Sequence, residues 1–234
     1  MMFNLKRKEK MSEVEKSILR HVMMIYELNN DIFTYYSNNQ EKRKIISNLF
    51  KRLNYDAVPK LYSNCKDCDN GMLIYRGISA NNTKLLKKYV NDFLNGDVFF
   101  GGNGAIYGTG IYTVIGDKNI ANDYSNDGGT SNFGIMLEGK MLDNTKIIEY
   151  DKIEEIRDFL IKNLKRVYKN NNMDNFISLL DDDGVLSAIL GYDAIHVNKK
   201  NYLVVLNRGK IIINDIDLYN KMNFTDENHI SNIK

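Results

Sequence analysis

Two short stretches of the chain carry residue types that could bind a nucleotide. Arg76 lies near the end of the apolar run 72–78, "MLIYRGI", and Gly77 follows it directly. An arginine fork can hold a diphosphate or ribose hydroxyls, and a neighbouring glycine lets the backbone come close to a ligand. An arginine that forms a salt bridge at a strand end is the alternative interpretation of Arg76.

The second stretch, residues 99–113, reads "FFGGNGAIYGTGIYT" and holds five of the chain's 16 glycines. Its spacing fits neither a dinucleotide-binding GxGxxG nor a Walker loop, so a phosphate cradle is not supported. Tyr107 and Tyr112 stand among the glycines, and glycines beside aromatic rings form a flat face on which a planar ring can stack. A long surface loop that needs glycines to turn is the alternative.

Metal and redox chemistry find little support. Cys65 and Cys68 form a lone CxxC, and the histidines, His21, His196 and His229, are scattered. Two thiolates alone do not complete a tetrahedral zinc site. We therefore expect two reduced thiols in a turn and no metal.

The elements that must position these residues change in character near residue 70. Ser12 to Glu15 fits a capping box, and apolar residues follow it at helical spacing; a second helix is predicted over 40–54. After residue 70 the patterns predict strands at 72–78, 111–115 and 133–141, and helices at 82–96, 117–125, 151–168, 173–180 and 185–191. The acidic run 181–183 is predicted to be a turn and a helix N-cap.

Three short strands, 193–197, 202–207 and 209–213, are expected to close the chain as a β-meander. This order of elements predicts an α+β fold, with an N-terminal helical region over 1–70 and a second domain over 71–234.

The amino-acid composition says less about the function than these motifs do. The chain has 234 residues, 43% of them hydrophobic, and a net charge of +2. Residues 1–52 carry 11 Lys and Arg against 6 Asp and Glu, which permits contact with an acidic partner. No apolar run approaches the roughly 18 residues that span a bilayer, and the N-terminus lacks a signal-peptide core. We therefore expect a cytoplasmic protein that does not bind membranes.

Taken together, "YRGI", "IYGTGIYT" and "NYLVVLN" resemble the ADP-ribosyltransferase superfamily, in particular its phage-encoded and bacterial toxin-like members. The middle motif is also similar to the "FGKGIYFAD…SANY" stretch of the poly-ADP-ribose polymerases. The resemblance covers about residues 70–214. It implies a split β-sandwich with peripheral helices, in which NAD lies in the cleft between two small sheets.

The resemblance also implies roles for single residues. Arg76 stands where the family has the Arg or His that holds the ribose and phosphates of NAD. Gly77 would bind the nicotinamide amide through its backbone, and Gly110 would lie beside the cofactor. Tyr112 and Tyr124 would flank the nicotinamide ring, although one extra residue separates them here.

Asn201 departs from the family pattern, because it stands where a glutamate opens the late strand. Asparagine can bond a ribose hydroxyl but brings no negative charge, and that loss could cost a few kcal/mol of transition-state stabilisation. The protein could transfer single ADP-ribose units without the charge, Asp193 or Glu149 could replace it, or the site could be inactive. Lys199 and Lys200, just before Asn201, would suit an anionic acceptor, or they form an exposed hairpin turn.

The expected function is an NAD-dependent mono-ADP-ribosyltransferase that uses NAD as co-substrate, needs no metal, and modifies a protein or nucleic-acid acceptor. The alternatives are an NAD glycohydrolase, with water as acceptor, and a non-catalytic module that binds NAD or ADP-ribose. Asn201 favours the last of these.

Overall fold

The computed structural model describes residues 11–61, 71–95, 106–126, 133–167 and 171–220. Its helices are α1 (Glu13–Asn29), α2 (Asn39–Arg52), α3 (Thr83–Asn95), α4 (Lys118–Asn126), α5 (Tyr150–Val167), α6 (Asn171–Leu180) and α7 (Asp183–Ile189). Its strands are β1 (Lys60–Leu61), β2 (Met72–Ala80), β3 (Ile111–Ile115), β4 (Phe133–Met141), β5 (Ile147–Glu149), β6 (Ala194–Val197), β7 (Tyr202–Val205) and β8 (Ile211–Asn220). The mixture confirms the predicted α+β class.

The eight strands form one sheet in the order β1-β8-β4-β2-β3-β7-β6-β5. The sheet is weakly joined at its middle. Only Ile74↔Ile115 and Tyr75↔Val114 pair β2 with β3, whereas β2 pairs with β4 along its whole length, from Met72 to Ala80. The sheet therefore consists of two halves, β1-β8-β4-β2 and β3-β7-β6-β5, that separate after two residue pairs.

The two faces of the sheet are buried differently. On one face, which we call the α3 face, Ile74, Ile111 and Leu203 share a buried cluster with Val90 and Phe93 of α3. On the other, the α4 face, Tyr75, Val114 and Met136 pack under Ala121 of α4. Further along the α4 face, Ile195 and Val204 pack against the layer formed by α1, α2 and α5 to α7.

The N-terminal helices dock on the sheet-containing part of the chain. Ser12 caps α1 with the predicted capping box, in which its side chain and that of Glu15 bond each other's backbone N–H. His21 Nε2 lies 2.8 Å from the carbonyl of Ile189, and the hydroxyl of Tyr55 donates to the carbonyl of Tyr192. The two helices thus share a hydrophobic cluster with α5 to α7. The division at residue 70 stays a prediction.

The predicted β-meander at the end of the chain is wrong. β6 and β7 pair as expected, but β8 pairs with β4 and β1 in the other half of the sheet. The turn Arg208–Lys210 lies between β7 and β8, and buried Arg208 donates hydrogen bonds to the carbonyls of Asp92 and Phe93 at the end of α3. In the described ranges, no helix has the length and apolar character needed to cross a bilayer.

Candidate active site

Arg76 lies where the two halves of the sheet separate. It follows the last residue pair between β2 and β3, and its Nη1 donates a hydrogen bond of 2.6 Å to the carbonyl of Tyr112 on β3. Burial lowers the pKa of the Arg76 guanidinium to about 10, so the group stays charged at neutral pH in partly desolvated surroundings. A cation in such surroundings attracts an anionic ligand more strongly than it would in water.

A small pocket opens beside Arg76 on the α3 face. Its walls are mostly apolar and include Phe93, Leu137 and Ile211. Thr113 also lines the pocket, but its hydroxyl already donates its proton to the carbonyl of Leu203 on the neighbouring strand. The guanidinium of Arg76 is thus the charged group of this pocket wall.

Gly77 faces the opposite side of the sheet, where α4 packs directly on it. A Cβ atom at this position would overlap the carbonyl oxygen of Ala121 and come within 2.5 Å of the backbone nitrogen of Ser125. Glycine is therefore needed here so that α4 can approach β2. That packing role is independent of nicotinamide binding by the Gly77 backbone, which stays a prediction.

The "GTG" segment, residues 108–110, is held by the start of α7. Asp182 accepts hydrogen bonds of 2.7 Å from both the backbone N–H and the hydroxyl of Thr109, and it caps α7 by accepting from the N–H of Val185. The predicted N-cap at the acidic run is confirmed. Its bond to Thr109 was not predicted, because 73 residues separate the two side chains in the sequence.

The glycines of this segment make room for protein atoms. A Cβ on Gly108, whose φ is +85°, would overlap the backbone nitrogen of Gly184, and a Cβ on Gly110 would lie 2.5 Å from Cγ1 of Val204. The space beside these glycines is thus filled by α7 and β7. A cofactor-binding role for Gly110 stays a prediction.

Next in the acidic run, Asp183 is buried beside Arg157 of α5, with which it forms a salt bridge. Burial raises the pKa of the Asp183 carboxyl, and the charge of Arg157 opposes that rise. This salt bridge joins α5 to α7, the helix whose N-cap residue binds the "GTG" segment.

Tyr112 is fixed by the loop that precedes it. Its hydroxyl donates to the carbonyl of Gly108 at 3.0 Å and accepts from the N–H of Tyr107 at 2.8 Å. Its ring stacks on that of Tyr107, which in turn meets Tyr150 edge to face. Burial raises the pKa of Tyr112, so its hydroxyl remains protonated at neutral pH.

Tyr124 is far more exposed, with 53% of its surface accessible on α4. Its hydroxyl lies 2.8 Å from the hydroxyl of Tyr202, the first residue of β7, and the two rings meet at 66°. Among the described residues, no contact joins Tyr112 to Tyr124. The structure brings both tyrosines to the α4 face without stacking them on each other.

Asn201 ends the exposed turn Asn198–Lys200 with φ +51° and ψ 32°. Its backbone N–H donates to the carbonyl of Asn198, and its own carbonyl accepts from the N–H of Ile115. Asparagine tolerates this left-handed conformation better than most residues, so the turn gives a structural reason for it. Lys199 and Lys200 are exposed on the turn, and Lys200 Nζ lies 6.0 Å from the centre of the Tyr202 ring.

The two carboxylates considered as substitutes for a glutamate are both engaged elsewhere. Asp193 is buried and accepts hydrogen bonds from the backbone of Lys146 and the side chain of Asn207. Glu149 accepts from His196 Nδ1 at 3.0 Å and from the side chain of Asn198 at 2.8 Å. Asp193 therefore ties the ends of strands together, and Glu149 braces the turn that carries Asn201.

Strand alternation assigns the predicted residues to the two faces of the sheet. Arg76 lies between Ile74 and Ile78, which both pack on the α3 face. Gly77 lies on the α4 face, where Tyr112, Tyr124 and Tyr202 also lie. A ligand placed where β2 and β3 separate would therefore meet the arginine from one side and the tyrosines from the other.

Within the part of the chain that the structure describes, no three His, Cys, Asp or Glu side chains come together as metal ligands. Cys65 and Cys68 lie outside the described residues.

Comparison with protein-family models, with curated proteins and with solved structures finds no match for this chain.

Proposed function

We propose that the protein is an NAD-dependent mono-ADP-ribosyltransferase that moves ADP-ribose from NAD to a macromolecular acceptor and releases nicotinamide. One observation carries the proposal. Arg76 and Tyr112, which the sequence motifs pair across 36 positions, meet through the 2.6 Å bond from Nη1 to the Tyr112 carbonyl. They meet at the one edge where β2 and β3 stop pairing.

The split sheet supports the finer fold proposal, an ADP-ribosyltransferase-like split β-sandwich. Two half-sheets joined by two residue pairs leave an opening between them, and α3, α4 and the helices α5 to α7 cover their faces. The family resemblance implies NAD in a cleft of this kind. Arg76, Gly77 and Tyr112 lie where the two half-sheets no longer pair, whereas the hairpin turn lies beside the paired ends of β2 and β3.

The reaction needs one group that holds the phosphates and ribose of NAD, a second that supports the nicotinamide ring, and a third that binds the nicotinamide amide. Nicotinamide leaves when the bond between its ring nitrogen and ribose C1′ breaks and the electron pair goes to that nitrogen. An acceptor lone pair then forms the new bond to C1′, and the acceptor proton passes to solvent. Arg76 would hold the phosphates and ribose, the rings of Tyr112 and Tyr124 would support the nicotinamide, and Gly77 would bind its amide.

The acceptor proposed is a protein or a nucleic acid. The exposed Lys199 and Lys200 lie on the hairpin turn, next to Asn201 and Tyr202. Two cations there favour an anionic acceptor over a cationic one such as an arginine side chain.

Asn201 favours one other function. A neutral side chain on an exposed left-handed turn offers no charge to stabilise the cationic transition state. The protein would then be a module that binds NAD or ADP-ribose without turnover. An NAD glycohydrolase, with water as acceptor, is the remaining alternative.

Labelled NAD distinguishes these functions. The protein is incubated with NAD labelled in its adenylate phosphate and a cell lysate, and both macromolecular label and free nicotinamide are measured. We expect label that either protease or nuclease removes, which also identifies the acceptor class. Nicotinamide without label would indicate a glycohydrolase, and NAD binding by calorimetry without turnover would indicate a binding module.

Arg76→Ala tests the residue that carries the proposal. We expect the rate of label transfer to fall about 100-fold or more, because the phosphates and ribose lose their charged clamp. Arg20→Ala, which removes an exposed arginine from α1, is the matched control and should leave the rate unchanged. If neither label nor nicotinamide forms, or if Arg76→Ala matches the unaltered protein, the proposal fails.

A further inference from the structure

We propose that Tyr202, and not Asn201, supplies the polar group that β7 gives to the reaction centre, through a hydrogen bond between its hydroxyl and a ribose hydroxyl of NAD. The inference rests on the proposed function and deepens it. It assigns a role to a residue that the sequence motifs did not single out.

The position of Tyr202 is the first argument. Tyr202 pairs with Val114 of β3 and with Val197 of β6, which places its side chain on the α4 face. Its hydroxyl lies 2.8 Å from that of Tyr124, and the turn of α4 that carries Tyr124 rests directly on Gly77. A ring supported by Tyr124 would therefore have the Tyr202 hydroxyl beside it.

The chemistry of the paired hydroxyls is the second argument. Each hydroxyl has one proton to donate and can accept two hydrogen bonds, and the bond between Tyr124 and Tyr202 uses only one of the two protons. The other proton is left for a ligand, and 53% of the surface of Tyr124 is accessible. The pKa of Tyr202 is raised, first by its bond to Tyr124 and then by burial, so it stays a neutral donor.

A ribose hydroxyl is a suitable partner because it can both donate and accept. The pair can therefore hold it in one orientation while the nicotinamide bond breaks. Tyr202 moves no proton in this role; it orients the ribose and polarises its hydroxyl.

Asn201 lacks the features that Tyr202 has. Both backbone polar groups of Asn201 are hydrogen-bonded, the N–H to Asn198 in the turn and the carbonyl to Ile115 on β3, and its side chain makes no hydrogen bond to another described residue. The left-handed conformation accounts for an asparagine at this position without any contact to a ligand.

The test removes the hydroxyls one at a time. Tyr202→Phe keeps the ring, and we expect kcat for label transfer to fall about 10- to 100-fold while the Kd for NAD, from calorimetry, changes less than about threefold. Tyr124→Phe removes the partner hydroxyl without touching β7 and should lower kcat about three- to tenfold. The double variant should resemble Tyr202→Phe, because the two hydroxyls act as a unit.

Two further variants complete the test. Tyr35→Phe, at a tyrosine with 79% of its surface exposed between α1 and α2, should match the unaltered protein. Asn201→Gly removes the side chain and keeps the left-handed turn, and its loss of kcat should be smaller than that of Tyr202→Phe.

The outcomes separate the inference from the proposed function. If the unaltered protein transfers label and Tyr202→Phe does so equally fast, or if Asn201→Gly loses more activity than Tyr202→Phe, the inference is overturned and the transferase proposal stands. If the unaltered protein neither binds NAD nor releases nicotinamide, both fail. A melting temperature of Tyr202→Phe within a few degrees of the unaltered protein would show that the loss is not one of folding.

Discussion

The two sides of the candidate site are built in opposite ways. On the packed side, the segment 108–112 is clamped by Asp182, stacked through Tyr112 on Tyr107, and fitted against Gly184 without room for a Cβ. On the hairpin side, Tyr124, the turn Asn198–Lys200 and Asn201 are exposed, and the two tyrosine hydroxyls contact each other. Protein contacts hold the packed side in place, whereas the residues of the hairpin side are exposed.

A glycine or a tyrosine can occur in a sequence motif because the packing requires it or because a ligand does, and the two sides of the site illustrate the difference. The "GTG" residues are needed because α7 and β7 lie against them, and they would be needed even if no ligand bound there. The residues of the hairpin side have weaker structural constraints. Changes on the packed side should therefore act mainly on stability, and changes on the hairpin side mainly on activity.

The largest effect on stability is expected from Gly184→Ala. Gly184 lies in α7, where helix propensity alone would make alanine more stable by about 1 kcal/mol. Its Cβ would overlap the carbonyl oxygen of Thr109, which is backbone and cannot rotate away. We therefore expect urea unfolding to show a loss of about 3 kcal/mol or more.

Gly116→Ala is the control for this substitution. Gly116 has φ +66°, and a Cβ there would meet no atom within 4 Å, so its cost should be the conformational one, about 1–2 kcal/mol. If Gly184→Ala lowered the free energy of unfolding no more than Gly116→Ala, the backbone around Thr109 could move to accommodate a Cβ. The contrast between the two sides would then be lost.

Parts of this architecture could be predicted from the sequence, and the physical reason is locality. β4 was predicted with its observed bounds, Phe133–Met141, and α1 with its capping box, because both signals lie within a few neighbouring residues. β1 and β5 were missed, since strands of two and three residues carry no periodicity. The partner of β8 was predicted wrongly, because its observed partner β4 lies far away in the sequence and no local pattern marks their pairing.

The candidate site shows the same limit. The resemblance singled out Arg76 and Tyr112 for ligand binding, which stays a prediction, and the structure joins them by one hydrogen bond. Nothing in the local sequence around Thr109 shows that Asp182 will bind it, and nothing around Tyr202 shows that its hydroxyl will meet Tyr124. Such contacts arise only when strands and helices that are distant in sequence are brought together.

Asp182→Ala should have the next largest effect. The substitution removes the N-cap of α7 and two charge-assisted hydrogen bonds to Thr109, so we expect a loss of about 2–3 kcal/mol. Asn38→Ala is matched to it, because Asn38 caps α2 through its side chain. It should cost about 1 kcal/mol, and thermal or urea unfolding measures both.

The comparison of these two caps tests the clamp itself. Thr109→Val removes only the bond from the Thr109 hydroxyl. It should lower the free energy of unfolding by part of the difference between the losses caused by Asp182→Ala and Asn38→Ala. Equal losses for the two cap variants would contradict the claim that Asp182 holds the "GTG" segment, and would leave it as a helix cap alone.

The smallest effect on stability is expected at Asn201, on the hairpin side. Because its φ is +51°, Asn201→Gly should be within about 0.5 kcal/mol of the unaltered protein, and Asn201→Ala should cost about 1 kcal/mol.

Asn201→Glu restores the charge that the family pattern has, at the same conformational cost as alanine. The two effects can be separated, since unfolding reports the turn while nicotinamide release reports the charge. A rate that rises in Asn201→Glu despite lower stability would show that the site lacks only a carboxylate. A rate that falls would show that a neutral residue on this turn suits the reaction.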